Sequence, residues 1–309
     1  LALNSVPYAF SGRPVNATVS VNCGTGGKIA DVLEQAVDAI SLTIDISGNC
    51  EENILIRRDN LTVTSNDGTG VITGVTPPTN ATNSVVGILG AQNVTLSNVD
   101  IVGASGDTTG MAGIVLANGA DAEMNSGAVA RNHNGNGILL LEASSFDLRD
   151  ATSRDNGRFG ISIYSGSHAD LTNAIIQDNG KSGVDVALSS SADIRSSTIQ
   201  RNAEHGVSLH WNSAAVIRES SSIQQNGTPG GNFHHGLYVN EGSSARVNTV
   251  TITTTMANAN DGSAVNVFRG SVLRLRGINS ITASAAPTAG VVCPTNCPYG
   301  TDSLGRSSG

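Results

Sequence analysis

The sequence predicts an all-β solenoid, a three-sided tube in which stacked coils each contribute one short strand to every side. The main observation is a repeat of 23 residues: Gly137, Gly160, Gly183 and Gly206 follow one another at that spacing, and each precedes a short apolar stretch. A fixed period of this size is typical of repeat folds, in which each unit packs only on its neighbours. The repeat therefore predicts one continuous stack of coils.

The composition agrees with short strands joined by tight turns. Of the 309 residues, 36 are glycine, 39% are hydrophobic, 14% are charged and only 3% are aromatic. Glycine and small polar residues favour turns, and the periodic hydrophobic residues argue against a disordered chain. The net charge of −8 disfavours a nucleic acid partner, which needs a basic surface. No run approaches the roughly 20 apolar residues of a membrane-spanning helix, so we expect no membrane span.

Taken in order, the chain begins with a segment over residues 1–20 that we expect to be extended, because Pro7 and Pro14 disfavour a helix there. The span 28–40 predicts the one clear helix, since its apolar side chains recur at spacings of three and four. These side chains are Ile29, Val32, Leu33, Ala36, Val37 and Ile40. We expect this helix to cap the solenoid, whose open end would expose strand edges and core side chains. The solenoid domain, with its cap, is expected over residues 21–290.

Four cysteines lie near the two ends of the chain and allow three disulfide connectivities. We favour Cys23–Cys50, which would tie the helix to the first coil, and Cys293–Cys297, which would close a C-terminal tail over residues 291–309. Zinc is the alternative, but no second CxxC-like knuckle or nearby histidine supports it. Disulfides indicate an oxidising compartment, so we expect a secreted or cell-surface protein.

From residue 54 onward the chain alternates short strands with turns. Period-2 alternation places the apolar residues of each strand inside the tube and the polar ones outside. The side chains predicted to fill the core are Ile161, Ile163, Val184, Val186, Val207 and Leu209. One asparagine per coil is predicted to stack into an internal ladder of amide hydrogen bonds, as asparagines do in cross-β structures. The predicted row contains Asn132, Asn156, Asn179, Asn202 and Asn226.

The repeated pattern N-x-x-x-G-[IV]-x-[IV] resembles the parallel β-helix repeat of the pectate-lyase-like superfamily, over roughly residues 54–280. The resemblance implies a right-handed three-sided parallel β-helix. The hexapeptide rhythm of left-handed β-helices and the GGxGxDxUx nonapeptide of calcium-binding ones are both absent. The same scaffold carries lyases, hydrolases, epimerases, phage tailspikes and non-catalytic surface proteins, so the resemblance defines the fold more narrowly than the function.

Outward positions on neighbouring coils give the candidate site. Coils stack about 4.8 Å apart, so equivalent outward residues of successive repeats lie within reach of one sugar ring. Side chains suited to proton transfer gather there, and the predicted catalytic residues are Asp185, His205, His235 and Tyr238. The predicted substrate-binding residues are Arg158, Tyr164, Lys181, His210 and Trp211. Arg158 and Lys181 would neutralise a uronate carboxylate, and Asp185 would act as a base or orient a histidine.

These residues favour a glycan-active protein, secreted by a bacterium or carried by a phage, and above all a lyase of uronate polymers or a glycoside hydrolase. The alternative is a non-catalytic β-helix that serves as an adhesin, a tail-fibre or a glycan-binding module. The absence of two catalytic motifs of the resembled superfamily favours this alternative. The missing motifs are the aspartate trio of polygalacturonases and the Asp-Pro-His of mannuronan epimerases. No cofactor is predicted. Calcium lacks a sufficient set of acids, since Asp185 stands alone in its row.

Overall fold

In the described part of the chain, three parallel sheets of 11, 10 and 10 strands form the sides of a tube and confirm the predicted three-sided solenoid. Each coil adds one strand to sheet 1, then one to sheet 2, then one to sheet 3, and neighbouring strands run parallel. The computed structural model describes residues 16–36, 38–78, 80–227, 234–254, 263–283 and 291–292.

Within each sheet, the strands lie side by side in the order in which the chain forms them. Sheet 1 consists of Asn16–Asn22, Ser41–Ser47, Leu61–Thr64, Val94–Ser97, Asp121–Asn125, Ser145–Arg149, His168–Thr172, Ser191–Arg195, Ala214–Arg218, Ser244–Asn248 and Val272–Arg276. Sheet 2 consists of Asn49–Glu51, Val71–Thr73, Asp100–Val102, Val129–Arg131, Thr152–Arg154, Ile175–Gln177, Thr198–Gln200, Ser222–Gln224, Thr251–Thr254 and Ser280–Ala283. Sheet 3 consists of Ile54–Ile56, Ser84–Leu89, Ala112–Ala117, Ile138–Leu140, Ile161–Ile163, Val184–Val186, Val207–Leu209, Leu237–Val239, Val265–Val267 and Val291–Val292.

Two short helices lie between the first two strands of sheet 1. They are the 3-10 helix Cys23–Thr25 and the α-helix Ile29–Gln35. The strand Asn16–Asn22 precedes both and pairs in parallel with Ser41–Ser47, so sheet 1 already begins at residue 16. No helix in the described part of the chain is both long and apolar enough to cross a membrane.

The α-helix is shorter at its C-terminal end than the sequence predicted. The guanidinium group of Arg58 donates hydrogen bonds to the carbonyl oxygens of Ala36 and Ala39, the latter at 2.8 Å. In a helix that continued to residue 40, the Ala36 oxygen would accept the backbone N–H of Ile40, so Arg58 supplies the partner that the shorter helix lacks. Ile40, predicted on the apolar stripe, is 55% exposed. Val37 of the same stripe lies outside the described residues.

Cys23 and Cys50 form the predicted disulfide. It joins the 3-10 helix to the strand Asn49–Glu51 across a sequence separation of 27. Cys293 and Cys297 lie outside the described residues, so their pairing stays a prediction.

Replacing both Cys23 and Cys50 by alanine is expected to lower the free energy of unfolding by about 3–4 kcal/mol, because the cross-link restricts the unfolded chain over a loop of this length. Urea unfolding followed by circular dichroism measures the loss. A separate unfolding transition of the variant at lower urea concentration would also agree with the expectation, since the coils of a solenoid can unfold unit by unit. An unchanged curve would contradict the expectation. Thiol titration of the unfolded, unreduced wild type is expected to find no free cysteine, which also tests Cys293–Cys297.

The core of the tube matches the prediction, because all six side chains assigned to it are fully buried. Ile161 pairs with Val184 in the register of the 23-residue repeat. The repeat glycines are required by close approach between coils. A methyl group on Gly183 would lie 2.6 Å from Cγ2 of Ile199 and 2.9 Å from the carbonyl oxygen of Gly206.

An asparagine ladder runs inside the tube, as predicted for four of its five members. The Nδ2 groups of Asn156, Asn179 and Asn202 each donate to Oδ1 of the next asparagine, at 2.9, 2.8 and 2.9 Å. Asn226 is the last member among the described residues, and all four side chains are buried. Each Oδ1 also accepts the backbone N–H of the preceding asparagine. The ladder therefore provides hydrogen-bond partners for polar groups that are buried inside the tube, away from water.

The fifth predicted member, Asn132, was wrong. Asn132 is exposed with a φ of 59° in a turn, and His133 takes the ladder position. The backbone N–H of His133 donates to Oδ1 of Asn156 at 3.2 Å, the contact that each asparagine makes with the next. The structural repeat of 23 residues leads from Asn156 to His133, whereas the sequence prediction chose the neighbouring asparagine.

A second internal ladder, made of serines, was not predicted from the sequence. The backbone N–H of each serine donates to Oγ of the next at 3.1–3.3 Å. Its members are Ser144, Ser167, Ser190, Ser213 and Ser243. Serine is common throughout this chain, so its regular spacing at a buried corner did not stand out from the background.

Stability is expected to fall between about pH 6.5 and pH 4, in part through His133. This side chain is 2% exposed, its Nε2 lies 3.1 Å from the carbonyl oxygen of Ile101, and burial lowers its pKa to about 4. Below the ordinary value of about 6.5 the unfolded chain therefore binds a proton that the folded chain does not, which costs about 3 kcal/mol by pH 4. The stabilisation is complete above pH 6.5 and is lost as the pH falls.

The variant His133→Asn, which places an asparagine in the ladder, is expected to lose less stability than the wild type over this range. Urea unfolding at pH 7 and pH 4.5 measures the difference for both proteins. The same pH dependence in the variant and the wild type would show that His133 does not contribute.

Candidate functional site

The candidate site lies on the outer face of sheet 3, where one outward position forms a row along the tube. Strand pairing aligns Leu139, Ser162, Asp185, Ser208 and Tyr238 in this row. The row is apolar at Leu139 and polar from Ser162 onward. Groups capable of proton transfer are therefore confined to the later coils of the row.

Asp185 is the centre of a hydrogen-bonded group in this row. Although it points outward, it is only 5% exposed. The hydroxyl of Tyr164 donates to Oδ2 at 2.5 Å, and the hydroxyl of Ser208 donates to Oδ1. Nε2 of His210 lies 3.6 Å from the same Oδ1. The carboxylate therefore accepts hydrogen bonds from two hydroxyl groups and lies beside the imidazole of His210.

The repeat explains how Tyr164 and His210 both reach Asp185. Each occupies the first position after its sheet-3 strand, in the coils on either side of Asp185. Ala187 takes the equivalent position in the intervening coil. Because its side chain is a single methyl group, the two larger side chains have room to lean over the carboxylate.

Tyr164 acts as a fixed hydrogen-bond donor to Asp185. Burial and the neighbouring Asp185 carboxylate raise the pKa of Tyr164 well above its usual value. The phenol therefore keeps its proton, and that proton is directed at Oδ2. Tyr164 thus orients the carboxylate and is a poor candidate for a base.

Three aromatic rings stack beside this group. The ring of His205 is nearly parallel to those of His235 and Tyr238, with centroid distances of 5.3 and 4.7 Å. The ring of Tyr238 also lies 5.4 Å from that of His210, which links the stack to Asp185. The structure thus places all four predicted catalytic residues on one face of neighbouring coils.

Both ring nitrogens of His235 are occupied by the protein. Nδ1 accepts the backbone N–H of Ser263 at 3.0 Å, so the proton of the neutral ring is on Nε2. Nδ2 of Asn266 lies 3.0 Å from Nε2, and turning this amide over brings its oxygen to the position that accepts the proton. Burial lowers the pKa of His235 to about 4, and the nearby His234 contributes a smaller part of this shift. His235 therefore supports the ring stack as a neutral side chain.

His205 is fixed in one tautomer. Its Nδ1 accepts the backbone N–H of His235 at 2.9 Å, which places the proton on Nε2. Burial among the neighbouring rings lowers the pKa of His205 well below its usual value, and the other imidazoles lower it further. The free edge of His205 can therefore donate a hydrogen bond to a ligand but cannot accept a proton there.

His210 and Tyr238 lie side by side next to Asp185 and are the candidate pair for proton transfer. Nε2 of His210 faces Asp185, and within the described residues its Nδ1 makes no hydrogen bond. Burial raises the pKa of Tyr238, so its hydroxyl keeps its proton at neutral pH. An imidazole next to a carboxylate and a protonated phenol thus stand side by side.

The two predicted cations differ in their surroundings. Arg158 is exposed and lies close enough to Tyr164 to oppose the rise in its pKa. Lys181 lies 3.7 Å from a carboxylate oxygen of Glu204, and its Nζ is 5.3 Å from the ring centroid of Phe159. Arg158 is therefore the cation more available to a ligand.

Trp211 lies at the rim of the site, in the turn that follows His210. It is 52% exposed, and its ring centroid is 6.0 Å from that of His210. Leu188, in the turn of the preceding coil, is 47% exposed. The positive φ of Trp211, 51°, is shared by equivalent turn residues in other coils, so it belongs to the architecture.

Sequence reasoning missed two residues of the site, Ser208 and Asn266. Ser208 follows Asp185 by one repeat and pairs with it in register, which was visible in the sequence. Asn266 belongs to a coil in which Ala264 replaces the repeat glycine, and this weakened the signal. Within the part of the chain that the structure describes, no three His, Cys, Asp or Glu side chains are grouped as metal ligands.

Comparison with known proteins places the chain in a family. The family model described as "Right handed beta helix region" matches residues 84–252, which is more than half of the chain. The chain therefore belongs to the right-handed β-helix family, and the handedness implied by the repeat is confirmed. None of the curated proteins matches the sequence.

The solved structures with a similar fold include an alginate lyase and a phage tailspike domain. An alginate lyase from Paenibacillus sp. str. FPU-7 aligns with a TM-score of 0.69 at 13% identity, covering 90% of this chain and 99% of the lyase. The enzymatically active domain of tailspike protein 2 from bacteriophage CBA120 aligns with a TM-score of 0.60 at 13% identity, covering 87% of this chain and 43% of the tailspike. At such identities the likeness shows the shared fold.

Proposed function

We propose that this protein cleaves an acidic polysaccharide by β-elimination at a uronate residue. The observation that carries the proposal is the pair formed by His210 and Tyr238, with Asp185 behind the imidazole. An elimination needs a base for the proton next to the carboxylate and an acid for the leaving oxygen. A carboxylate-oriented imidazole and a protonated phenol supply these two functions on one face.

In the proposed reaction, Nδ1 of His210 takes the proton from the carbon next to the uronate carboxylate. The electron pair of that C–H bond forms a C=C double bond, and the glycosidic C–O bond to the leaving sugar breaks. Tyr238 gives its proton to the leaving oxygen, and solvent later returns the proton from His210 to Tyr238. Asp185 stabilises the imidazolium that forms in the first step, as a buried carboxylate does in hydrolase triads.

The other side chains of the face bind and position the substrate. Arg158 pairs with the uronate carboxylate, which makes the neighbouring proton more acidic. His205 donates its Nε2–H to a sugar hydroxyl. Trp211 and Leu188 offer an apolar surface at the rim to the flat face of a sugar ring.

The fold comparison supports the choice of substrate class. One of the solved structures that share this architecture along nearly their whole length is an alginate lyase. Alginate is a polymer of uronates, so its eliminated product carries the double bond that the proposed reaction forms. Alginate is therefore the first substrate to test.

A second candidate function is binding of a glycan without chemistry, as an adhesin or tail-fibre module. The observation that favours it is the exposed pair of Trp211 and Leu188 in neighbouring turns. Such a surface binds sugars whether or not a base lies beside it. Two of the predicted catalytic groups, His205 and His235, also have nitrogens occupied by backbone N–H groups.

The test is an activity screen with alginate, polygalacturonate and hyaluronate, read by the ultraviolet absorbance of unsaturated sugar ends. The elimination is expected to raise this absorbance with at least one of these polymers. Reducing ends without the absorbance would indicate hydrolysis and would contradict the elimination. Binding of a polymer without either signal would support the non-catalytic function.

We also propose that the protein is secreted or exposed at a cell surface, and that its α-helix caps the tube. The Cys23–Cys50 disulfide supports an oxidising compartment. The cap is supported by Glu52, whose carboxylate accepts the backbone N–H groups of Ile29 and Ala30 at 2.8 and 3.0 Å. This contact fixes the start of the helix against the first complete coil.

A further inference from the structure

Three arginines form an unpaired basic surface on the outer face of sheet 1, near the C-terminal end of the tube. Arg246, Arg274 and Arg276 are exposed, and within the described residues none of them forms an ion pair. Strand pairing sets Arg246 directly opposite Arg274. Arg276 lies two residues further along the strand of Arg274, on the same face.

Arginines elsewhere on sheet 1 are neutralised by acids of the same face. Arg149 pairs with Asp147, Arg195 with Asp170 and Asp193, and Arg218 with Asp193. In the outward row that contains Arg246, the side-chain charge changes from negative to positive along the tube. In register it reads Glu123, Asp147, Asp170, Asp193, Val216, Arg246 and Arg274.

This arrangement is unfavourable for the protein alone. Like charges directly opposite each other on neighbouring strands destabilise a sheet. The two Cα rows are only about 4.8 Å apart, and Arg276 lies about 7 Å from Arg274 along the strand. A bound anion would relieve this repulsion, and guanidinium groups bind carboxylates through two parallel hydrogen bonds.

We infer that Arg246, Arg274 and Arg276 form a second binding surface for an acidic polysaccharide, separate from the candidate site on sheet 3. The surface presents three cations at regular spacing on a flat sheet, which suits the regularly spaced carboxylates of a linear polymer. A chain bound there would be held near the tube between encounters with the site. That this surface binds an anion is inferred from the unpaired arginines. That the anion is a polysaccharide rests on the proposed function.

Two observations favour a polysaccharide over a nucleic acid. The basic surface is a local patch of three arginines on a chain of net charge −8, whereas nucleic acid recognition generally uses a broad basic face. The outward positions of sheet 1 also carry no Phe, Tyr or Trp in the described strands. Single-stranded nucleic acids are generally bound by stacking on such rings.

The experiment compares alginate binding by two variants, both made in the His210→Ala/Tyr238→Phe background so that binding is measured without cleavage. The first variant is R246Q/R274Q/R276Q. The matched control is R149Q/R195Q/R218Q, which removes the same charge from the same sheet but from ion-paired arginines. Isothermal titration at several salt concentrations gives the affinities, and thermal unfolding confirms that both variants are folded.

The first variant is expected to bind alginate about tenfold more weakly and with a shallower salt dependence, since fewer counterions are released. The control is expected to stay within about twofold of its parent, because its arginines are already neutralised. Equal loss in both variants, or loss in neither, would overturn the inference. An oligonucleotide that competes with alginate equally well would overturn the assignment to a polysaccharide. Because turnover is not measured, failure of the elimination would leave this result unaffected.

Discussion

Replacing His210 by alanine is expected to lower the rate of unsaturated product formation by about two to four orders of magnitude. This is the usual contribution of a positioned general base. Nε2 of His210 lies 3.6 Å from Oδ1 of Asp185, whereas His205 and His235 each have Nδ1 occupied by a backbone N–H. Initial rates from ultraviolet absorbance on the polymer found active in the screen measure the effect.

The control for this variant is His168→Ala. His168 also points outward, but it lies on sheet 1 and its side chain is 45% exposed. Its replacement is expected to leave the rate unchanged, because it lies on a different sheet from the row of Asp185. A similar loss in both variants would show a general effect on folding. Full activity of His210→Ala would place the chemistry elsewhere.

Tyr238→Phe separates the acid from the base in the same assay. It removes the hydroxyl but keeps the ring that stacks on His205 at 4.7 Å. The expected result is a lower kcat with a nearly unchanged KM, since the hydroxyl acts on the leaving oxygen and the ring stack is preserved. A raised KM at constant kcat would instead assign Tyr238 to binding.

Asn202→Ala is expected to lower the free energy of unfolding by about 3–5 kcal/mol, the second large effect. Oδ1 of Asn202 accepts the backbone N–H and the Nδ2 of Asn179, and its own Nδ2 donates to Asn226 and to the carbonyl oxygen of Ile176. Removing the amide leaves several buried groups without partners, and each such group costs about 1–3 kcal/mol. Urea unfolding followed by circular dichroism measures the change.

The matched variant is Asn134→Ala. Asn134 is exposed and makes one hydrogen bond, from Nδ2 to the carbonyl oxygen of Asp107 at 3.0 Å. Its loss is expected to cost less than about 1 kcal/mol. A comparable cost for the two asparagines would show that the internal ladder contributes no special stability.

The inside of the tube was predictable to a large extent because each coil repeats the same packing problem. The 23-residue period identified the glycines at which coils approach closely, and period-2 alternation identified the buried side chains. The error at Asn132 shows the limit of this reasoning. Two adjacent residues, Asn132 and His133, fit the spacing almost equally well, and only the backbone contact with Asn156 distinguishes them.

The outside of the tube was predictable only as a list of neighbours. The repeat placed Asp185, His205, His235 and Tyr238 on one face, but it could not assign their partners. Nδ1 of His235 accepts the backbone N–H of Ser263, and Nδ1 of His205 accepts the backbone N–H of His235. These two hydrogen bonds decide the tautomers. Such contacts depend on coils about 30 residues apart in sequence, where the repeat is irregular.

The sequence by itself determined the solenoid, its core, most of its asparagine ladder and the face that carries the candidate site, because every coil obeys the same alternation and spacing. The tertiary structure alone decided which outward groups are free to react. Asp185 is buried under Tyr164 because Ala187 leaves room above it, and among the described residues backbone N–H groups occupy Nδ1 of His205 and of His235 but not Nδ1 of His210. The physical reason is that the reactivity of an outward side chain depends on hydrogen bonds and burial from the coils above and below it, which the periodic pattern does not encode.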